Sequence, residues 1–338
     1  MGYYIYKLKF NTGVHFGLSD GSGLEKTDIS FPSDAFFSAI LSEAVKLYGT
    51  EKLNKYVDII EKGDFLVSDL MPFKEYDLYI PKPYVFIEKE KNGEKQNSFT
   101  SDKKKLKKIK YIPIEKIDSY FNYLSKGGEI PLDESEFGDF NLFIKNSIDD
   151  KREEDTRLYS IETFHFSQDS GLYFILKCPD EVVDEFENIL NSLGTTGIGG
   201  KKSSGYGKFS LFTDPMELYF DDDFPIESNS DLIIKKDLKK EGKYYMLLSS
   251  YKPEEEEIER LKDGKSFYSI FKRSGFVTRR TYSENPQKRK EINMLKSGSV
   301  LDYKPKGEVV DLNLHGNHSI YRVGKPIVIG VDFHEKQD

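Results

Sequence analysis

The chain has 338 residues, of which 37% are hydrophobic and 32% charged, and a formal net charge of −8. That length suggests two domains, and the acidic balance excludes a protein that binds nucleic acid over its whole surface. No apolar run approaches the roughly 20 residues of a membrane span, the opening Met-Gly-Tyr-Tyr-Ile-Tyr-Lys lacks the layout of a signal peptide, and the single cysteine, Cys178, excludes an internal disulfide.

A reducing, cytoplasmic setting follows as an expectation, with Cys178 a small core residue on a strand. The charges are segregated. Acid gathers at Asp149–Asp155, Asp221–Asp223 and Glu254–Glu257; base gathers at Lys103–Lys110, Lys201-Lys202, Lys272-Arg273, Arg279-Arg280 and Lys288-Arg289-Lys290. Each basic run alone reads as a solvated face. Together they allow a local basic groove on an acidic body.

Residues 3–10 alternate. Tyr4, Tyr6, Leu8 and Phe10 share one face, and Tyr3, Ile5, Lys7 and Lys9 share the other. This predicts a strand with an apolar face and an aromatic-basic face. A turn-rich piece with His15 follows, then a helix opened by Ser33 as N-cap after Pro32. Phe36, Phe37, Ile40, Leu41, Ala44, Val45 and Tyr48 form its core stripe, and Gly49 ends it.

Residues 50–157 are less regular. Leu53–Ile60, Ile114–Leu124 and Phe137–Ile148 carry helical spacing, with short extended pieces between the first two. Lys89–Lys110 is polar and lysine-rich, and reads either as a solvated loop or as an arm that touches RNA. Arg157–Phe166 and Gly171–Cys178, separated by Gln168-Asp-Ser-Gly171, predict a hairpin. Residues 180–193 predict an amphipathic helix, and Tyr206–Phe212 a strand.

Between that helix and strand lies Gly194-Thr-Thr-Gly-Ile-Gly-Gly-Lys-Lys-Ser-Ser-Gly-Tyr-Gly-Lys-Phe209. Glycine reaches positive φ and holds no ligand away, and successive free N–H groups make an anion-binding concavity. Lys201 and Lys202 add charge; Ser203 and Ser204 add donors. The run fits neither the P-loop, since Thr195 and Lys202 stand at positions that motif reserves, nor the dinucleotide fingerprint. A structural glycine-rich connection and a phosphate cradle both remain open, and the cradle is the stronger reading.

The order strand, helix, insertion, strand, strand, helix, strand predicts an α+β protein. Residues 1–213 would form a ferredoxin-like (RRM-like) βαββαβ domain with a large insertion at about 50–157, after its first helix. A linker would span 214–241, broken by Pro215, Asp221–Asp223 and Pro225. Residues 242–338 would form a second ferredoxin-like domain, with strands at Lys243–Tyr251, Gly298–Tyr303 and Lys325–Phe333 and a short acidic helix at Glu254–Lys262.

Gly197-Ile-Gly199-Gly-Lys-Lys-Ser-Ser-Gly205-Tyr-Gly207 resembles the glycine-rich loop of the RAMP superfamily, the repeat-associated RNA-binding proteins of CRISPR systems. Ser33-Asp34-Ala-Phe-Phe-Ser-Ala-Ile40, Lys272-Arg273-Ser-Gly-Phe-Val277, Gly298-Ser-Val-Leu301 and His318-Ser-Ile-Tyr-Arg-Val-Gly324-Lys-Pro326 resemble blocks of one subunit of type III-A (Csm) effector complexes. Pro32 departs from that pattern, where a histidine often precedes the Ser-Asp pair.

The resemblance implies a subunit without catalysis of its own and without a cofactor. It would cap the 5′ tag of the CRISPR RNA (crRNA) and dock onto the large polymerase-like subunit and the backbone subunits, rather than form a homo-oligomer. It also implies an arm near the first guide nucleotides, for which Lys89–Lys110 is the candidate.

The tag would lie on Gly197, Ile198, Gly199, Gly200, Lys201, Lys202, Ser203, Ser204, Gly205 and Tyr206. Tyr206 either stacks on a base or packs in the core; Lys7 and Lys9 either line the same groove or face solvent. One of Arg279 and Arg280 would add a phosphate or base contact, since neighbours on an extended segment point oppositely. His15 reads as an RNA contact or a turn residue. As a lone general acid–base it would support an alternative, a metal-independent endoribonuclease processing precursor crRNA. A purely protein-binding subunit is a third reading. His315 and His318 lack a third ligand in sequence, so no metal site is expected.

Overall fold

The computed structural model describes residues 1–18, 23, 25–85, 104–147, 157–218, 228–277 and 282–332. The opening strand, β1 (Gly2–Phe10), alternates as its sequence does. Tyr4, Tyr6, Leu8 and Phe10 enter the core that α1 (Ser33–Tyr48) builds with Phe36, Phe37, Ile40 and Ala44. Helix α2 (Thr50–Glu61) adds Tyr56 and Ile60 to that core. Ser33 is not a side-chain cap: Pro32 occupies the N-cap position, and the Ser33 hydroxyl accepts the Ser250 N–H instead.

The chain continues through β2 (Leu66–Val67), β3 (Met71–Lys74), β4 (Asp77–Pro81), β5 (Tyr111–Pro113) and α3 (Ile117–Lys126). A long antiparallel ribbon follows, β6 (Gly138–Ser147) against β7 (Arg157–Phe166). Then come β8 (Ser170–Cys178), α4 (Val183–Thr196) and β9 (Phe209–Leu211). The main sheet runs β9–β1–β8–β3–β4–β5, with β2 also on β8. Cys178 is buried at the end of β8.

Two expectations fail here. Phe137–Ile148 does not form a helix; residues 138–147 are strand β6. Phe140 and Ile144 fit a helical spacing, but with Leu142 between them they also share one face of a strand. And β7 does not pair with β8. The turn between them exists, with Ser170 N–H on Ser167 O, but β7 leaves the sheet to pair with β6. The place beside β8 is taken by β2 and β3, so much of the segment expected as an insertion, from Thr50 to Lys74, belongs to the core layers.

The far side of the sheet is covered too. Ile5, Tyr173, Ile175 and Phe73 meet Ile117 and Tyr120 of α3, Ile234 of α5 (Asn229–Lys239) and Tyr244 and Met246 of β10 (Tyr244–Leu247). Helix α5 lies where a linker was expected. It is capped by the Ser228 hydroxyl on the Asp231 N–H, and Ile234 anchors it in this core.

Downstream lie α6 (Glu255–Leu261), β11 (Ile270–Arg273), β12 (Ile292–Leu295), β13 (Val300–Leu301) and β14 (Val328–Val331). They give a three-stranded antiparallel sheet, β13–β10–β14, and a β11–β12 pair. The whole is a mixed α/β protein built on antiparallel sheets. Among the described residues, no helix is long and apolar enough to cross a membrane. Of the basic segment Lys89–Lys110, residues 89–103 lie outside the described residues.

Candidate nucleic-acid interface

The glycine loop begins as the C-cap of α4. Gly197, at φ +82°, donates its N–H to Leu193 O. Ile198 N–H goes to Gly207 O, Gly200 N–H to His15 O, and Gly207 N–H to Gly13 O. Much of the expected N–H cradle is therefore spent inside the protein. Among the described residues, the N–H groups of Gly199, Lys201 and Ser203 receive no acceptor.

The density of glycine is largely a packing requirement. A Cβ on Gly207, at φ +78°, would lie 2.0 Å from Ile198 O, and one on Gly199, at φ +85°, 2.7 Å from the Phe16 ring. Ile198 is a core residue with no exposed surface, so its side chain is not an RNA contact. What remains outward is the tip: Lys201, at φ +58°, then a single 3₁₀ turn, Lys202–Ser204, closed by Gly205 in the left-handed region. Lys201, Lys202, Ser203 and Ser204 are exposed.

The β6–β7 ribbon stands beside this tip. The Lys145 ammonium lies 4.9 Å from the centre of the half-buried Tyr206 ring, and the Lys201 ammonium 5.0 Å from that of Tyr159. Lysine and tyrosine thus alternate across the loop and the ribbon at one edge. The ribbon also exposes Phe140, Leu142, Phe143, Ile144 and Leu158. Cations and open rings side by side suit a single strand of nucleic acid, whose backbone is held by charge and whose bases stack. Lys145 and Tyr159 were missed in the sequence. The signal was the period of two in Phe140-Asn-Leu142-Phe-Ile144.

His15 is buried at the base of the ribbon. Its Nδ1 is 2.8 Å from Glu162 O, and the Glu162 carboxylate accepts the Thr27 N–H at 3.0 Å. It ties the loop to β7 rather than facing an open groove. Lys7 is corrected as well. It is 4% exposed, with its ammonium 6.0 Å from the Phe73 ring. Lys9 lies over Phe212 at 5.9 Å. Both belong to the sheet face opposite the core that takes Ile198, so the structure does not bring them to the glycine loop. Arg279 and Arg280 lie outside the described residues.

The blocks that resemble a Csm subunit meet at a different place. Asp34, fully buried, takes Arg273 Nη2 at 2.7 Å and Arg322 Nη1 at 2.8 Å, and the Ser250 hydroxyl at 3.2 Å. Asp69 accepts from Ser33 N–H at 2.8 Å, Ser250 N–H at 3.1 Å and Ser297 Oγ at 2.6 Å. Burial raises the Asp34 carboxyl, but the two guanidiniums outweigh it and hold the group below its ordinary value. Burial pushes Asp69 above its own, against the hydrogen bonds from Ser297 and Ser33. The start of α1 is thereby joined to three segments of the second half.

Residues 240–331 match the model of the CRISPR Csm4 C-terminal domain. The CRISPR system Cms protein Csm4 of Mycobacterium tuberculosis is 25% identical over 318 residues, 94% of each chain. That of Streptococcus thermophilus is 26% identical over 331 residues, 97% of this chain and 98% of the other. The chain is similar to Csm4 proteins over nearly its whole length. Two solved Csm4 structures share its fold at a TM-score of 0.60. One, 18% identical, is from a Csm1–Csm4 cassette in complex with cA4 and covers 98% of this chain and 99% of that one. The other, 19% identical, is from a Csm3–Csm4 subcomplex in the type III-A CRISPR-Cas interference complex and covers 98% and 100%. Kinship with Csm4 favours a complex subunit over the processing endoribonuclease, whose candidate acid–base residue, His15, is walled in by Glu162 O and Gly200.

Proposed function

We propose that this chain is a subunit of a type III-A Csm interference complex that grips the 5′ tag of the crRNA and contributes no catalysis. The observation that carries the reading is the exposed edge where Lys201, Lys145, Tyr159 and Tyr206 interleave. Lys201 and Lys202, with the N–H groups of Gly199 and Ser203, would take tag phosphates; Tyr159 and Tyr206 would offer faces to bases.

Docking onto a large subunit and a backbone subunit is supported by the Csm1–Csm4 and Csm3–Csm4 assemblies of its relatives. The setting would be cytoplasmic, and the chain would not form a homo-oligomer. The strand order β9–β1–β8–β3 around α1 and α4 supports a ferredoxin-like first domain. In it the insertion would fall between its second and third strands. Residues 242–338 would form the second domain.

The test is to purify the complex with its guide RNA and compare it with Lys201→Ala/Lys202→Ala over a salt series. A variant that releases RNA more readily, with a flatter salt dependence, fits the reading. Full retention with an unchanged salt dependence would sink it.

A further inference from the structure

A cavity of about 450 Å³ opens between the two halves of the chain. It lies within the ordinary size range of small-molecule pockets, about 300–1,000 Å³. Its wall carries Lys82, Lys107, Lys110 and Lys296 against Asp28 and Asp69. The acids are engaged: Asp28 is 3.5 Å from Lys110 Nζ, and Asp69 accepts from Ser33, Ser250 and Ser297. Lys82, Lys107 and Lys296 have no carboxylate partner among the described residues. Lys82 is half-buried, its ammonium donating to Leu106 O, and burial lowers its pKa. An excess of cations in a partly desolvated hollow favours an anion.

The wall is also aromatic. Tyr84 keeps 43% of its surface exposed while its N–H is fixed on Gly298 O at 2.8 Å. Tyr111 stands beside Ser30. A cation set next to an open ring matches a phosphate joined to a base, whereas a bare phosphate would leave the rings idle. A short piece of chain links the cavity to the RNA edge. His15 O accepts from Gly200 of the loop. Phe16 and Gly17 then pair with Asp28 and Thr27, and Leu18 and Asp28 line the cavity. From His15 to Leu18 is about 10 Å of extended chain.

We propose that this cavity takes one nucleotide of the single-stranded RNA held at the glycine loop, with its phosphate on Lys107 and Lys296 and its base against Tyr84. This rests on the RNA-binding reading but places a separate pocket at the joint of the two halves.

The experiment is nucleotide-resolution footprinting and photo-crosslinking of the bound guide RNA in the purified complex. The wild-type complex should protect one nucleotide that crosslinks to peptides holding Tyr84 or Lys296. Tyr84→Ala/Lys296→Ala should raise the reactivity of that nucleotide about tenfold, the order expected for losing one stacked base, and leave the others protected. Tyr84→Phe, which keeps the ring, should retain the protection and guards against a folding artefact. Unchanged protection in the double variant, equal loss with Tyr84→Phe, or crosslinks from the cavity to a partner subunit's peptide would overturn the pocket while the loop reading stands. A complex that holds no RNA at all would overturn both.

Discussion

The glycine-loop edge and the Asp34 joint both concentrate positive charge, and they use it oppositely. At the joint, Arg273 and Arg322 converge on a fully buried carboxylate, and the Ser250 hydroxyl donates to it as well. At the edge, Lys201 and Lys145 are set over tyrosine rings on an exposed ribbon. The first arrangement turns its cations inward onto a buried carboxylate; the second leaves them available to a polyanion. Motif-bearing residues are therefore not all ligand-bearing. Ser33-Asp34, Lys272-Arg273 and the closing block around Arg322 hold the two halves together, while the glycine loop divides its residues between packing and display.

The sharpest way to break the comparison is Asp34→Ala. It strands two buried guanidiniums, and losing one partner of a buried ion pair costs about 3–5 kcal/mol. Denaturant unfolding should show that loss directly, with RNA retention falling only as the fold does. Gly207→Ala comes next. The left-handed backbone alone costs about 1–2 kcal/mol, and the clash with Ile198 O adds to it. That variant should destabilise the chain although it sits in the loop of the RNA edge. If it melted like the parent, the packing account of these glycines would fail.

Much of this was legible in the sequence, and the failures share a cause. Helices α1 and α4 were readable because each buries one stripe against one core, and strand β1 because its apolar face alternates with an aromatic-basic one. The β6–β7 ribbon was misread because neither face is wholly buried, so Phe140 and Ile144 obey two periods at once. Helix α5 was hidden between acidic and proline-bearing flanks, with Ile234 its buried hydrophobic anchor. Lys7 was read as open because its cover includes Phe73 of β3, far along the chain. At the site, the tip Lys201–Ser204 was visible in sequence, whereas Lys145 and Tyr159 reach it only through tertiary pairing.

Lys201→Ala/Lys202→Ala sharpens the comparison from the other side. Surface changes of this kind move stability by about 0.5 kcal/mol or less, so the unfolding curve should hold. Each lost phosphate contact on a single strand lowers the log–log salt slope by about 0.7, so the pair should flatten it by about 1.4. Tyr159→Ala should weaken binding by about 1–3 kcal/mol if a base stacks there, with little change in that slope. A slope change without an affinity change at Tyr159 would reverse these roles.

The smallest effect is in pH, and it separates the joint from the edge by sign. Asp34 is held below its ordinary value, so its stabilisation is full above the unfolded carboxylate range, near pH 4, and is lost as pH falls through its folded value. Asp69 is raised, and Asp237 is pushed up by burial to about 6. Their protonated forms suit the fold, so their contributions are present at low pH and fade as pH rises through those folded values. Stability should therefore climb modestly as pH drops from 7 towards 5, by about 1 kcal/mol once solvent screening of the part-exposed Asp237 is allowed for. It should then fall steeply as Asp34 is protonated. Asp69→Asn with Asp237→Asn should flatten the climb and keep the fall. Lys201→Ala/Lys202→Ala should keep both. A profile that changed with the lysines and not with the aspartates would mean that the joint is not where the fold's acid sensitivity resides.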